Sequence, residues 1–153
     1  MYDSNIVKQN LGEETETDLN ELVNYELLVL VNVLLHSSYQ FVLLRSVSDC
    51  LAMHGISWMT EKTDEKCRDS AVKIMNWIHQ NNGYLELADI TKPTFNESQL
   101  DGEFFFARWI DVEKWIEEQV VYAKWKIHQS HYEKKTEVIM MIERLLSHIL
   151  SIN

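Results

Sequence analysis

From Asp18 to Val47 the chain runs without a glycine or a proline, and this stretch restricts the fold more than any other feature of the sequence. A backbone lacking both residues has no low-energy place to turn. Leu19, Leu22, Val23, Leu30, Val33 and Leu34 recur along it at the three- and four-residue spacing of one helix face. The segment therefore reads as one long helix. Asp18 followed three residues later by Glu21 has the form of a capping box, which satisfies the first free amides of a helix. The whole chain of 153 residues holds only 4 Gly and 1 Pro, too few to turn a many-stranded sheet. With 46% apolar and 25% charged residues it has the make-up of a single folded domain.

Three more helical patterns follow. The second starts near Thr63 and passes through Ala71, Ile74, Met75 and Ile78 to a left-handed stop at Asn82-Gly83, after a connection over Ser48–Ser57 that contains Gly55. The third is the most regular: Phe105, Trp109, Val112, Ile116, Val120, Ala123 and Ile127 step by three or four. The fourth carries Val138, Met141, Ile142, Leu145 and Ile149, joined to the third by a tight turn near Gln129-Ser130 or continuous with it as one bent rod. The expected arrangement is a flexible segment over residues 1–17, then one bundle over 18–153 with helices at about 18–47, 63–81, 103–128 and 131–150. Between helices 2 and 3 lies a segment, about 83–102, that holds Pro93 and the alternating Tyr84-Leu85-Glu86-Leu87. Extended, a chain of roughly 20 residues reaches about 66 Å, enough to return along a helix of about 40 Å. The expectation is an all-α, up-down-down-up four-helix bundle with a long crossover between helices 2 and 3, the single-crossover topology of the ferritin-like class.

The charge balance narrows the partners. A formal charge of −10 opposes binding to a phosphate backbone, so no nucleic acid is expected. Cys50 and Cys67 form neither a C-x-x-C pair nor a zinc-finger set with any His. Met1–Glu16 lacks a basic start and an apolar core. The apolar run Leu27–Leu35, interrupted by Asn32, is about half of what spans a bilayer, so no membrane association is expected. These features point to a cytoplasmic protein, and secretion would require a leader already removed. Asn96-Glu97-Ser98 fits a glycosylation acceptor, a pattern common by chance. No nucleophile-base-acid set, glycine-rich phosphate loop or basic aromatic patch is present.

The stretch Ile74-Met75 through Asn82-Gly83-Tyr84-Leu85-Glu86-Leu87-Ala88-Asp89-Ile90-Thr91-Lys92-Pro93 resembles the end of helix B and the start of the crossover in eukaryotic ferritins. Asn24-Tyr25-Glu26-Leu27 is similar to the family's helix A motif, and Val112-Glu113-Lys114 to its helix C motif. The resemblance implies that Glu26 and Glu113 correspond to iron ligands. Their positions on or beside the apolar stripes agree with inward carboxylates, which need a metal, a proton or a cationic partner. The alternative is that each bonds to a Lys, Tyr or His of a neighbouring helix. On helix 2 the family's Glu-x-x-His is replaced by Cys67 and Ser70, and only a different register would turn Asp64, Glu65 or Asp69 inward as the missing ligand. Lys66 and Val72 thin the acidic cluster that non-catalytic light chains show, and Glu137 with Met140 retains at best one channel acid. The expectation is a bundle without the family's short fifth helix.

The resemblance thus implies a light-chain-like subunit without an intact ferroxidase centre, with iron as its cargo and a homo- or hetero-oligomer with ferritin-like subunits as its assembly. A second reading is a ferritin-fold structural, chaperone-like or partner-binding protein that has lost iron chemistry, and a third is a functional di-iron oxidase with an unconventional ligand on helix 2. His128 and His131, at i,i+3, read as solvated residues near a turn before they read as a metal pair. Trp115 and Tyr122 lie off the main stripe of helix 3, which favours an interface.

Overall fold

The computed structural model describes residues 19–91 and 102–151. It contains four helices and no strand among the described residues: α1 (Glu21–Cys50), α2 (His54–Gln80), α3 (Gly102–His128) and α4 (Lys135–Leu150). The chain is all-α, as the sequence predicts. Asp18 lies outside the described residues. The cap of α1 is Asn20, extended at φ −72° and ψ 160°, whose side-chain oxygen accepts from the Val23 amide at 2.9 Å.

The largest departure from the sequence expectation is the start of α2, at His54 and not near Thr63. Ala52, in the left-handed region at φ 58°, turns the chain, and the Met53 amide donates to Ser48 O at 2.8 Å. Gly55 then falls inside the first turn of α2. The inward residues of that part of α2 are Ser57, Thr60 and Thr63, which a search for apolar periodicity does not register. The hydroxyls of Thr60 and Thr63 donate to Ile56 O and Met59 O, so they are buried without an outside partner. At the other end, α2 stops as expected: Asn82 adopts φ 59°, and the Gly83 amide donates to Ile78 O at 2.7 Å. A turn separates α3 from α4, and α4 begins at Lys135, later than the expected His131, with Tyr132 buried beneath the turn.

Helix α1 packs on α2 and α3, and α4 packs on the same two helices. Pairs across α1 and α3 run in opposite senses: Gln40 meets Arg108 at 3.3 Å, His36 meets Trp115 with ring centres 5.6 Å apart, and Tyr25 shares a groove with Tyr122. Across α1 and α2, Leu19 is bonded to Asn81, Ser38 to Asp64, and Arg45 is 3.5 Å from Glu61. The core is a column of fully buried side chains that includes Leu27, Leu30, Phe41, Ile74, Ile78, Phe105, Ile116, Ile127 and Ile142. Each contributes about 1.5–3 kcal/mol by leaving water.

Helix α1 is long and apolar enough to cross a membrane by length and composition, so the apolar run extends beyond the expected Leu27–Leu35. In the fold 56% of that window is buried. Its two asparagines serve the connection from α2 to α3: Asn24 bonds both backbone groups of Tyr84, and Asn32 accepts from the Ala88 amide at 3.0 Å. Residues 83–91 therefore run along α1 without helix or strand, whereas 92–101, with Pro93, lie outside the described residues.

Two glycines give opposite expectations for one substitution. A Cβ on Gly83 would lie 2.4 Å from Asn24 Oδ1 and 2.7 Å from both Ile78 Cγ2 and Leu19 Cδ2, whereas a Cβ on Gly55 would meet nothing within 4 Å. Gly83→Ala should destabilise by about 2 kcal/mol through overpacking, and Gly55→Ala should stabilise by up to about 1 kcal/mol through helix propensity. Urea unfolding of both variants measures the two signs.

Candidate functional site

Viewed from α2, the bundle interior divides into two halves. The inward residues of its first half are Ser57, Thr60, Thr63, Asp64, Cys67 and Ser70, and those of its second half are Ala71, Ile74 and Ile78. Ser37 and Ser38 of α1 are also buried. Asp64 is 4% exposed: its Oδ1 accepts from the Ser38 hydroxyl and from Arg68 Nε at 3.1 Å, and its Oδ2 from the second arm of Arg68 at 3.0 Å. This fork comes from one helical turn away on the same helix and neutralises the carboxylate locally. Asp64 thus does turn inward, the outcome that the sequence register made conditional, but it arrives with its counter-ion attached.

Cys67 is fully buried, and burial pushes its thiol up to about 12, reinforced by the Asp64 and Glu113 carboxylates. A thiol so placed stays protonated at neutral pH and is a poor nucleophile. Ser70, beside it, has a buried hydroxyl without a hydrogen-bond partner, as does Ser37. Glu113 is half-buried and accepts from the indole Nε1 of Trp109 one turn earlier on α3.

The structure does not bring Glu26 and Glu113 together. Glu113 lines a cavity of about 250 Å³ between α2, α3 and the end of α4, walled by Trp58, Met59, Lys66, Trp109 and Ile149. Glu26 lines a different groove, of about 720 Å³, between α1 and α3. Trp109 packs on Phe41 and Trp115 on His36, so Glu113 is level with the part of α1 around His36–Phe41. Glu26 lies at least ten residues back along α1, roughly 15 Å at the helical rise. Glu26 and Glu113, paired by the resemblance, thus line separate cavities, and on α1 it is Ser38 that meets the Asp64 level of α2. Among the described residues no group of three or more His, Cys, Asp or Glu side chains is placed to hold a metal ion.

Glu26 is 5% exposed. Burial raises its pKa above the ordinary carboxylate range, and the positive charge of Lys126 across the groove lowers it by less. Lys126 itself lies over the rings of Tyr122 at 5.6 Å and Trp125 at 5.8 Å. The other sequence candidates are dispersed. His128 ends α3 while His131 is in the turn, both exposed, so they share no helix face. Glu137 and Met140 are exposed on α4. The residues that sequence reasoning missed are Ser37, Ser38 and Thr63; their only signal was hydroxyls recurring at helical spacing.

The sequence matches no protein-family model and no curated protein at significant similarity.

Two consequences can be measured. A carboxylate whose pKa is raised on folding lets the folded state bind more protons than the unfolded one, so stability falls as pH rises through the interval between the two values. Glu26→Gln should therefore stabilise the fold at pH 7, and the gain should vanish well below the ordinary carboxylate range. Thermal melts at several pH values read this difference. Iodoacetamide should label exposed Cys50 readily in the native protein and leave Cys67 unlabelled until denaturant is added; peptide mass spectrometry distinguishes them.

Proposed function

We propose that this chain is a ferritin-like subunit that contributes to iron storage by assembling with other ferritin-like subunits, and that it carries no ferroxidase centre. The observation that carries this reading is the polar layer at Cys67 and Glu113. A ferritin-like di-iron site needs inward carboxylates from facing helices together with Glu-x-x-His pairs. At this layer the one buried carboxylate, Asp64, is bound by Arg68, the thiol is held protonated, and Glu113 bonds an indole. Hard-ligand chemistry for iron has little to work with.

The finer topology belongs to the same proposal. The short connection from α1 to α2 and the turn from α3 to α4 make each pair antiparallel, and α3 runs opposite to α1, which supports an up-down-down-up order with α2 and α3 parallel. The start of the crossover along α1 fits such a return. Glu26 and Glu113 take no role as a joint iron centre in this reading, and iron is cargo of the assembly.

A second reading, a ferritin-fold protein that binds a partner and has lost iron chemistry altogether, is favoured by one specific feature. Trp58, Tyr122 and Trp125 are each more than half exposed, and large exposed aromatics are suited to interfaces.

Aerobic Fe(II) oxidation and light scattering after size exclusion test both readings. The chain alone should oxidise iron no faster than buffer, and Glu113→Ala should leave that unchanged. Refolded together with a ferroxidase-competent ferritin subunit, it should enter a large mixed particle that retains an iron core. Exclusion from that particle, with a stable monomer or dimer throughout, overturns the first reading in favour of the second.

A further inference from the structure

Two carboxylates are buried among the described residues, and they are treated differently. Asp64 has Ser38 and Arg68, whereas among the described residues no hydrogen bond or salt bridge reaches the Glu26 carboxylate. A desolvated carboxylate without a partner is stabilised by a proton or by a cation brought to it. Glu26 borders a groove whose apolar walls are Leu22, Val29, Tyr25 and Tyr122, with Glu21, Gln119 and Lys126 also lining it. At about 720 Å³ the groove falls within the range of roughly 300–1,000 Å³ usual for small-molecule sites. Leu22, Tyr25 and Tyr122 are 45%, 49% and 53% exposed, so the apolar walls are accessible to a ligand.

The chemistry of the walls selects the ligand. Two glutamates repel an anion. A small inorganic cation would have only the two glutamates and the Gln119 amide oxygen as hard ligands, and it would leave the leucine, valine and tyrosine surfaces unused. Among the described residues no group of three His, Cys, Asp or Glu is placed for a metal. An ammonium group on an apolar body uses every wall. Lys126 already illustrates the recognition, because its own ammonium rests over the Tyr122 and Trp125 rings. Its stem holds it at the groove's edge, where its charge is felt at Glu26 without forming a salt bridge.

We infer that the α1–α3 groove binds an organic ammonium ion, its charge set against Glu26 and its apolar body against Leu22, Val29 and the Tyr122 ring. Lys126 is then a competitor for the same carboxylate, and this feature distinguishes the site from a generic acidic surface. The inference stands apart from the assembly reading, because it concerns the isolated chain and a small ligand.

The test titrates the full chain with 2-phenylethylamine and with phenylacetate, matched in size and opposite in charge, following heat and tryptophan fluorescence. The amine should saturate and the acid should not. Glu26→Gln should weaken amine binding by roughly tenfold or more, with helical circular dichroism unchanged. Lys126→Met should strengthen it, a change opposite to that expected from general loss of structure. Equal binding of amine and acid, affinity retained in Glu26→Gln, weakening in Lys126→Met, or no saturation to about 10 mM would each overturn the inference. Particle mass measured on the same variants keeps this outcome separate from that of assembly.

Discussion

One buried amide sets the register on which the rest of the bundle depends. Asn24 is fully buried in α1, and its side chain donates to Tyr84 O and accepts from Tyr84 N, both at 2.9 Å. It gives the chain leaving α2 the two hydrogen bonds that a neighbouring strand would give. Leaving such groups buried and unpaired would cost about 1–3 kcal/mol each. The bond from Leu19 to Asn81 at 2.8 Å and the absence of a side chain at Gly83 close the same corner. With the start of α1 fixed against the end of α2, sliding by a turn is prohibited, and Ser38 falls opposite Asp64 and Arg45 opposite Glu61. The chain over residues 83–91 then leaves along α1, where Asn32 holds it again.

That register decides which side chains share a layer. It places the polar half of α2 opposite the serines of α1, and there the buried groups are satisfied mostly from within their own helix. Thr60 and Thr63 bond carbonyls one turn back, Asp64 takes Arg68 from one turn ahead, and Glu113 takes Trp109 from one turn back. In a layer satisfied in this way Asp64 is neutralised by Arg68, while Glu113 has a neutral indole donor and no ion pair among the described residues. The arrangement resembles a metal site in its position and its polarity but not in its electrostatics, because the guanidinium of Arg68 extends from the exposed side to do what a cation would do inside.

The same distinction explains what the sequence made legible. The inward stripe of α3 follows the predicted spacing: Phe105, Val112, Ile116, Val120, Ala123 and Ile127 are its buried residues, and each packs by its own chemistry. The first turns of α2 were hidden because hydroxyls and Gly55 stand where leucines would announce a helix. For Glu26 the face was legible and the level was not. Helical periodicity repeats every turn, so a residue two or three turns away satisfies the same pattern, and only contacts distant in sequence, such as Asn24 with Tyr84, choose between the levels. Asp64 shows the complementary case: its inward direction depended on register, and its neutralisation depended on Arg68 four residues on, which was local and readable once the direction was known.

Helix α3 is apolar on two faces, and this bears on both readings of the molecule. Beyond its inward stripe it exposes Phe106, Ile110, Val121, Tyr122 and Trp125, each about half accessible. Scattered apolar exposure needs no explanation, but Val121, Tyr122 and Trp125 border one shallow depression and adjoin the groove of Glu26 through Tyr122. A subunit partner covering that surface would bury the Tyr122 ring and close one wall of the ammonium site. A bound ammonium ion would in turn put its body where the partner's side chains must pack. A partner docked on that face and a ligand in the groove would therefore compete for one surface, and by linkage each would weaken the other by the same factor. The unpaired charge of Glu26 would then be relieved by the organic ammonium ion in the uncovered chain, and under a partner by whatever basic group that partner brings over the groove.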